Sequence, residues 1–137
     1  MPIIVQTQTT SFKKELYQAI HNLSTDTLKI ALFTANVDLS AATTVYSAAN
    51  EVTGGGYTAG GVTLTGVTIN SDATTAYVNF NNVVFGASVT ARCALIYNSS
   101  KANRAIAVLD FGSNKTSTNF TVTMPANTAT SALIRSV

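Results

Sequence analysis

Between positions 51 and 70 the chain reads EVTGGGYTAGGVTLTGVTIN. Five of the eight residues from Gly54 to Gly61 are glycine. Glycine reaches left-handed backbone conformations freely and weakens helices, so this stretch is predicted as a flexible loop. The residues after it alternate: Val62, Leu64, Gly66 and Thr68 fall on one face, Thr63, Thr65, Val67 and Ile69 on the other. Period two with β-branched residues is the pattern of a strand. A dinucleotide-binding reading of Gly54-Gly-Gly56-Tyr-Thr-Ala59 fails for the same reason, because a β-forming run follows where the phosphate-binding helix would have to begin.

The strand pattern recurs to the C-terminus. Residues 76–80 (AYVNF), 90–98 (TARCALIYN), 104–111 (RAIAVLDF), 119–124 (NFTVTM) and 131–137 read as strands. Turns are expected at 70–72, at 99–101 and at 112–115, and Pro125 marks a break. A short edge or bulged segment is expected at 81–85. Upstream, residues 26–35 (DTLKIALFTA) read as a strand with Leu28, Ile30 and Leu32 on one face and Lys29, Ala31 and Phe33 on the other. Residues 36–50 read as a connection carrying a short helix near 40–46.

One helix is predicted, over 11–23. Phe12, Leu16, Ile20 and Leu23 form an apolar stripe, and Lys14, Gln18 and His21 lie off it. Ser11 or Thr10 is placed to cap it, and His21 reads as a surface residue near its end. Residues 1–10 read as an N-terminal arm or a first strand, with Ile3, Ile4 and Val5 as its apolar core. Residues 11–137 form a single domain. The expected class is mainly all-β: an antiparallel β-sandwich, jelly-roll-like, of about eight strands with one N-terminal amphipathic helix.

Charge narrows the function. Only 10% of the 137 residues are charged, the net charge is +2, and the basic residues are spread along the chain. A nucleic-acid binder concentrates its cations, so no nucleic-acid partner is expected. Sparse charge favours a subunit that hides much of its surface against neighbours. Cys93 is the single cysteine, expected as a buried thiol, and His21 is the single histidine. No base is paired with a nucleophile, and the acids Glu15, Asp26, Asp38, Glu51, Asp72 and Asp110 show no ligand spacing. No enzymatic activity, cofactor or metal is expected. Asp110 is expected to hydrogen-bond the backbone at Gly112. No apolar run is long enough to span a membrane, no secretory leader is evident, and neither a membrane nor a disulfide enters the reading.

Segments 23–35 (LSTDTLKIALFTA), 51–69 (EVTGGGYTAGGVTLTGVTI), 90–100 (TARCALIYNSS) and 107–126 (AVLDFGSNKTSTNFTVTMPA), with ALIR near the C-terminus, resemble a family of small virion structural proteins of tailed bacteriophages. The resemblance covers the chain from about Ser11 onward and implies a head decoration or cement protein. Such a protein is made in the host cytoplasm and binds the outer surface of the major capsid protein lattice. Its expected partners are the major capsid protein and itself, as a dimer or trimer. Ile3, Ile4 and Val5 of the arm, with Tyr57 and Thr58 of the glycine loop, are the expected contact residues. Removal of residues 1–10 is expected to weaken capsid binding and leave a folded domain. Two other readings are a neck, collar or tail component and, from a different class, a carbohydrate or host-surface binding module that uses its tyrosines.

Overall fold

In the computed structural model the described residues are Ile3 and 5–137. The fold is mainly β, 42% strand and 6% helix, and every strand pairing is antiparallel. The chain runs β1 (Val5–Gln8), α1 (Thr10–Tyr17), β2 (Leu28–Phe33), β3 (Val62–Thr63), β4 (Thr68–Asp72) and β5 (Thr75–Asn79). It continues through β6 (Val83–Val84), β7 (Val89–Asn98), β8 (Arg104–Ser117), β9 (Thr121–Val122) and β10 (Ile134–Ser136). The strands form a five-stranded sheet of order β1-β8-β7-β2-β3, a three-stranded sheet β10-β5-β4 and a ribbon β6-β9. Ten strands among the described residues replace the expected eight: residues 5–8 form β1, and Gly66, at φ +65, splits the alternating run into β3 and β4.

The five-stranded sheet carries apolar side chains on both faces. Leu28, Ile30, Leu32, Ala94, Ile96, Ala107 and Leu109 join the larger core with Phe12, Val78, Val122 and Ile134, which come from the helix and the smaller sheets, and with Phe80 just after β5. The opposite face presents Ala31, Phe33, Cys93, Leu95, Tyr97, Ala105 and Val108, covered by Val37, Leu39 and Tyr46 of the 34–50 connection. That connection, expected to carry a short helix, instead runs as turns with isolated bridges Phe33↔Glu51 and Val45↔Arg104. It serves as a lid on the outer face of the sheet, a task for which an irregular backbone can follow the side chains beneath it.

Two expectations at the N-terminus change. Thr9, fully buried, is the helix cap: its hydroxyl accepts the Phe12 N–H at 3.2 Å and donates to the Ala105 carbonyl at 3.2 Å. The helix stops at Tyr17, well short of Leu23. The Ile20 N–H bonds the Glu15 carbonyl and the Ala19 N–H bonds the Leu16 carbonyl, with Ala19 left-handed at φ 58. This is a Schellman ending. It turns the chain so that Leu23 and His21 both go inward, while Leu16 remains 37% exposed.

Two turns also move. The β4–β5 hairpin reverses after Asp72, with Ala73 at φ 50, so the expected turn residues 70–72 lie within β4. At 112–115 no reversal occurs. Pairing jumps from Cys93↔Asp110 to Ala91↔Lys115, so the intervening β8 residues form a bulge, with Phe111 buried and Gly112, Ser113 and Asn114 exposed, and the strand continues.

Candidate functional site

The glycine loop is anchored by an acid that sequence spacing alone does not single out. Glu51 is buried at the lid, and its two carboxylate oxygens accept three hydrogen bonds. Tyr46 Oη donates to Oε1 at 2.5 Å, Tyr57 Oη donates to Oε2 at 2.5 Å, and the Gly60 N–H donates to Oε2 at 2.8 Å. Tyr57 Oη also accepts the Leu32 N–H at 3.0 Å, which couples the loop to the outer edge of β2. Tyr97 Oη donates to the Gly60 carbonyl at 2.6 Å, and its ring stacks on Tyr46 with centroids 4.5 Å apart.

Burial, followed by hydrogen bonding to the Glu51 carboxylate and its charge, holds the Tyr46 and Tyr57 hydroxyls well above the ordinary phenol range. Both therefore stay protonated donors, which a buried carboxylate requires. Gly61 is what lets the loop come this close to β2. Its φ is +83, and a Cβ there would lie 1.8 Å from the Ile30 carbonyl oxygen.

A second polar cluster ties the helix to the β7–β8 turn. His21, predicted at the surface, has a fully buried side chain. Its Nε2 meets Glu15 Oε1 at 2.8 Å, and its Nδ1 meets Asn98 Nδ2 at 2.9 Å. Asn98 Nδ2 also donates to Asp26 Oδ2 at 2.8 Å, and its Oδ1 accepts the Ser100 N–H, which fixes the amide orientation. His21 Nδ1 is thus the acceptor and Nε2–H the donor. Arg104 Nη1 reaches Glu15 Oε2 at 3.0 Å and Lys101 Nζ reaches Asp26 Oδ1 at 3.0 Å. Burial acts to raise the Asp26 carboxyl. Hydrogen bonds from the Asn22 backbone, Asn98 and Lys101, with the Lys101 charge, outweigh it and bring the group down to about 2.

The third cluster is on the lid side. Asp110 Oδ1 accepts from Arg92 Nε at 3.0 Å and from the Gly112 N–H at 2.8 Å, so the expected backbone contact is present and gains a cation. Those two hydrogen bonds, Arg92 first, lower its carboxyl below the usual range. The pair rims a hollow of about 250 Å³ whose lining includes Cys93, Val37 and Val108. Burial, then the Asp110 charge, pushes the Cys93 thiol up to about 11, with Arg92 pulling the other way, so the group is a thiol at neutral pH. Among the described residues no group of three or more His, Cys, Asp and Glu could hold a metal ion, and no helix is long and apolar enough to cross a membrane.

Chemically, each acid in these clusters accepts hydrogen bonds from groups of its own chain. The clusters fasten loops to strands: the glycine loop to β2, the helix exit to the β7–β8 turn, and the β8 bulge to β7. The outward surface keeps a few charged residues, Lys13, Lys14, Asp38, Asp72 and Arg135, among uncharged ones and exposed Val5, Leu16, Tyr17, Val45, Ile69 and Val84.

The expected contact residues do not converge. Val5, 52% exposed, lies in β1 opposite Asp110, and Ile3 packs partly against the larger core. Ile4 lies outside the described residues. Tyr57 turns inward to Glu51 and Phe85, and Thr58 beside it is exposed. The spacing of Tyr46, Glu51 and Tyr57 around a glycine run is the signal that could have located the Glu51 cluster. For His21 the helix-face argument misled, because the helix had already ended. Compared with protein-family models, curated proteins and solved structures, the chain finds no significant match.

Proposed function

We propose that this chain is a structural protein of a tailed-bacteriophage virion, a decoration or cement protein that binds the outside of the major capsid protein lattice and stabilises the head. In this reading its paired sheets are a variant of the jelly-roll-like sandwich, and it acts as a dimer or trimer through contact alone. The observation that carries the reading is the use of charge. Glu15, Asp26 and Glu51 hold the chain's own loops in place, and the exposed surface is poor in charge and dotted with apolar side chains. A rigid, weakly charged surface suits repeated modest contacts on a symmetric lattice, where multivalency multiplies the effect.

The structure changes how the N-terminal contact is tested. Residues 5–8 pair with β8 and Thr9 caps the helix, so deletion of residues 1–10 removes parts of the fold itself. A point change at exposed Val5 is the cleaner probe. Purified protein added to capsids that lack it is expected to bind saturably at lattice-scale copy number and to raise their thermal disassembly temperature. Val5→Glu is expected to weaken that binding with the fold intact. Failure of the wild-type protein to coat such capsids, or about a dozen copies or fewer per virion, overturns the reading in favour of a neck or tail location.

A further inference from the structure

One face of the molecule carries a trough that no described residue fills. Between α1 and the β10-β5-β4 sheet lies a largely apolar cavity of about 390 Å³, walled by Leu16, Leu23, Ile69, Tyr77, Val78 and Ile134. Leu16 and Ser136 also line a second cavity of about 310 Å³ next to it, together with Lys13, Tyr17 and Arg135 among others. The apolar end keeps Ile69 at 53% exposure and Leu16 at 37%, and Tyr17 beside them is 94% exposed. Side chains of this size left in water at adjoining positions of one trough mark a contact site.

The other end carries the cations Lys13 and Arg135, with Gln8 and Val137 beside them. Among the described residues neither Lys13 nor Arg135 is in an ion pair. The one acid on α1, Glu15, is held by His21 and Arg104. The trough is therefore apolar at one end and positive at the other.

We propose that this trough is a docking site for a segment of a partner protein in which an acidic side chain stands beside apolar ones. The carboxylate pairs with Lys13 and Arg135, and the apolar side chains cover Leu16 and Ile69. A polypeptide fits better than a lone hydrocarbon chain. The trough lies open along the surface, and its lip at Ile69 belongs to β4, the end strand of its sheet, whose outer edge leaves main-chain groups for an extended peptide. None of Val5, Tyr57 and Thr58 lines either cavity, and the site does not depend on the capsid reading.

The test is a titration of the full chain followed by amide chemical shifts. The probes are acetyl-Glu-Leu-Thr-Leu-Phe-amide, its counterpart with Lys in place of Glu, and sodium decanoate. The acidic peptide is expected to shift Lys13, Leu16, Ile69, Tyr77 and Arg135 saturably, and to bind about tenfold tighter than the basic one. The double change Lys13→Glu with Arg135→Glu, at exposed positions, is expected to invert that preference. Ile69→Ser is expected to weaken both peptides about threefold or more without altering their order, and it serves if the double variant does not fold. Equal binding of the two peptides, shifts centred elsewhere, or no shift overturns the proposal. Decanoate binding here with neither peptide doing so also overturns it, in favour of a lipid site.

Discussion

Tyr46 and Tyr57 donate to the same carboxylate, yet their hydroxyls should not be equally valuable. Tyr46→Phe removes one donor from Glu51 Oε1 and keeps the ring stacked on Tyr97. A hydrogen bond to a charged acceptor contributes about 1.5–3 kcal/mol, and the lid position of Tyr46 puts the loss near the low end, about 1.5 kcal/mol. Tyr57→Phe removes one of two donors to Oε2, which keeps the Gly60 N–H, but it also strands the Leu32 N–H, whose residue is fully buried in β2. An unsatisfied buried donor costs about 1–3 kcal/mol more, so the total is about 2.5–4.5 kcal/mol. Urea unfolding, followed by circular dichroism and tyrosine fluorescence together, measures both. Amide exchange at Leu32 should quicken in Tyr57→Phe and not in Tyr46→Phe. Combining either change with Glu51→Gln should be non-additive by about 1 kcal/mol or more. A Tyr46→Phe cost equal to or above that of Tyr57→Phe, with Leu32 exchange unchanged, would refute the account of Tyr57 as a two-way link between loop and sheet.

Gly61→Ala should destabilise by about 3 kcal/mol or more, from a left-handed φ plus a clash with the Ile30 carbonyl. Gly54→Ala, also at positive φ but facing open space, should cost only about 1 kcal/mol in the same unfolding assay. Ala19→Gly should stabilise by about 0.5–1 kcal/mol, because glycine is the favoured residue at the left-handed position of a Schellman ending; thermal melts would show it. Asp26 has a folded pKa of about 2, below its unfolded value, so its stabilisation is present above about pH 4 and is lost as pH falls toward 2. That loss should be about 1–2 kcal/mol of unfolding free energy, and Asp26→Asn should remove this part of the acid dependence.

The strands were legible where alternation and burial agree. Residues 28–33 alternate between two faces, and the structure buries both, one under the smaller sheets and one under the lid. Legibility ended where the backbone turns against its local composition. The helix pattern continues past Tyr17 in the sequence, since Ile20 and Leu23 keep the spacing. No residue type marks Ala19 as left-handed, and the Schellman bonds that end the helix are main-chain bonds, invisible in side-chain identity. The 112–115 stretch shows the converse case. Gly112, Ser113 and Asn114 form a local turn signal, but the partner strand β7 continues on both sides, and the long-range pairing converts a turn into a bulge.

Glu51 follows the same logic at the level of the site. A carboxylate between Asn50 and Val52 reads as a solvated loop residue until the chain folds back. Three donors then arrive, from positions 46, 57 and 60, and Tyr57 links the carboxylate to β2. The glycines that suggested a flexible loop are what allow that approach, with Gly61 over the Ile30 carbonyl and Gly55 over that of Ser88. The loop is built for close contact with its own sheet, and that moves the search for outward contacts from Tyr57 to surfaces where apolar and cationic side chains remain unpartnered.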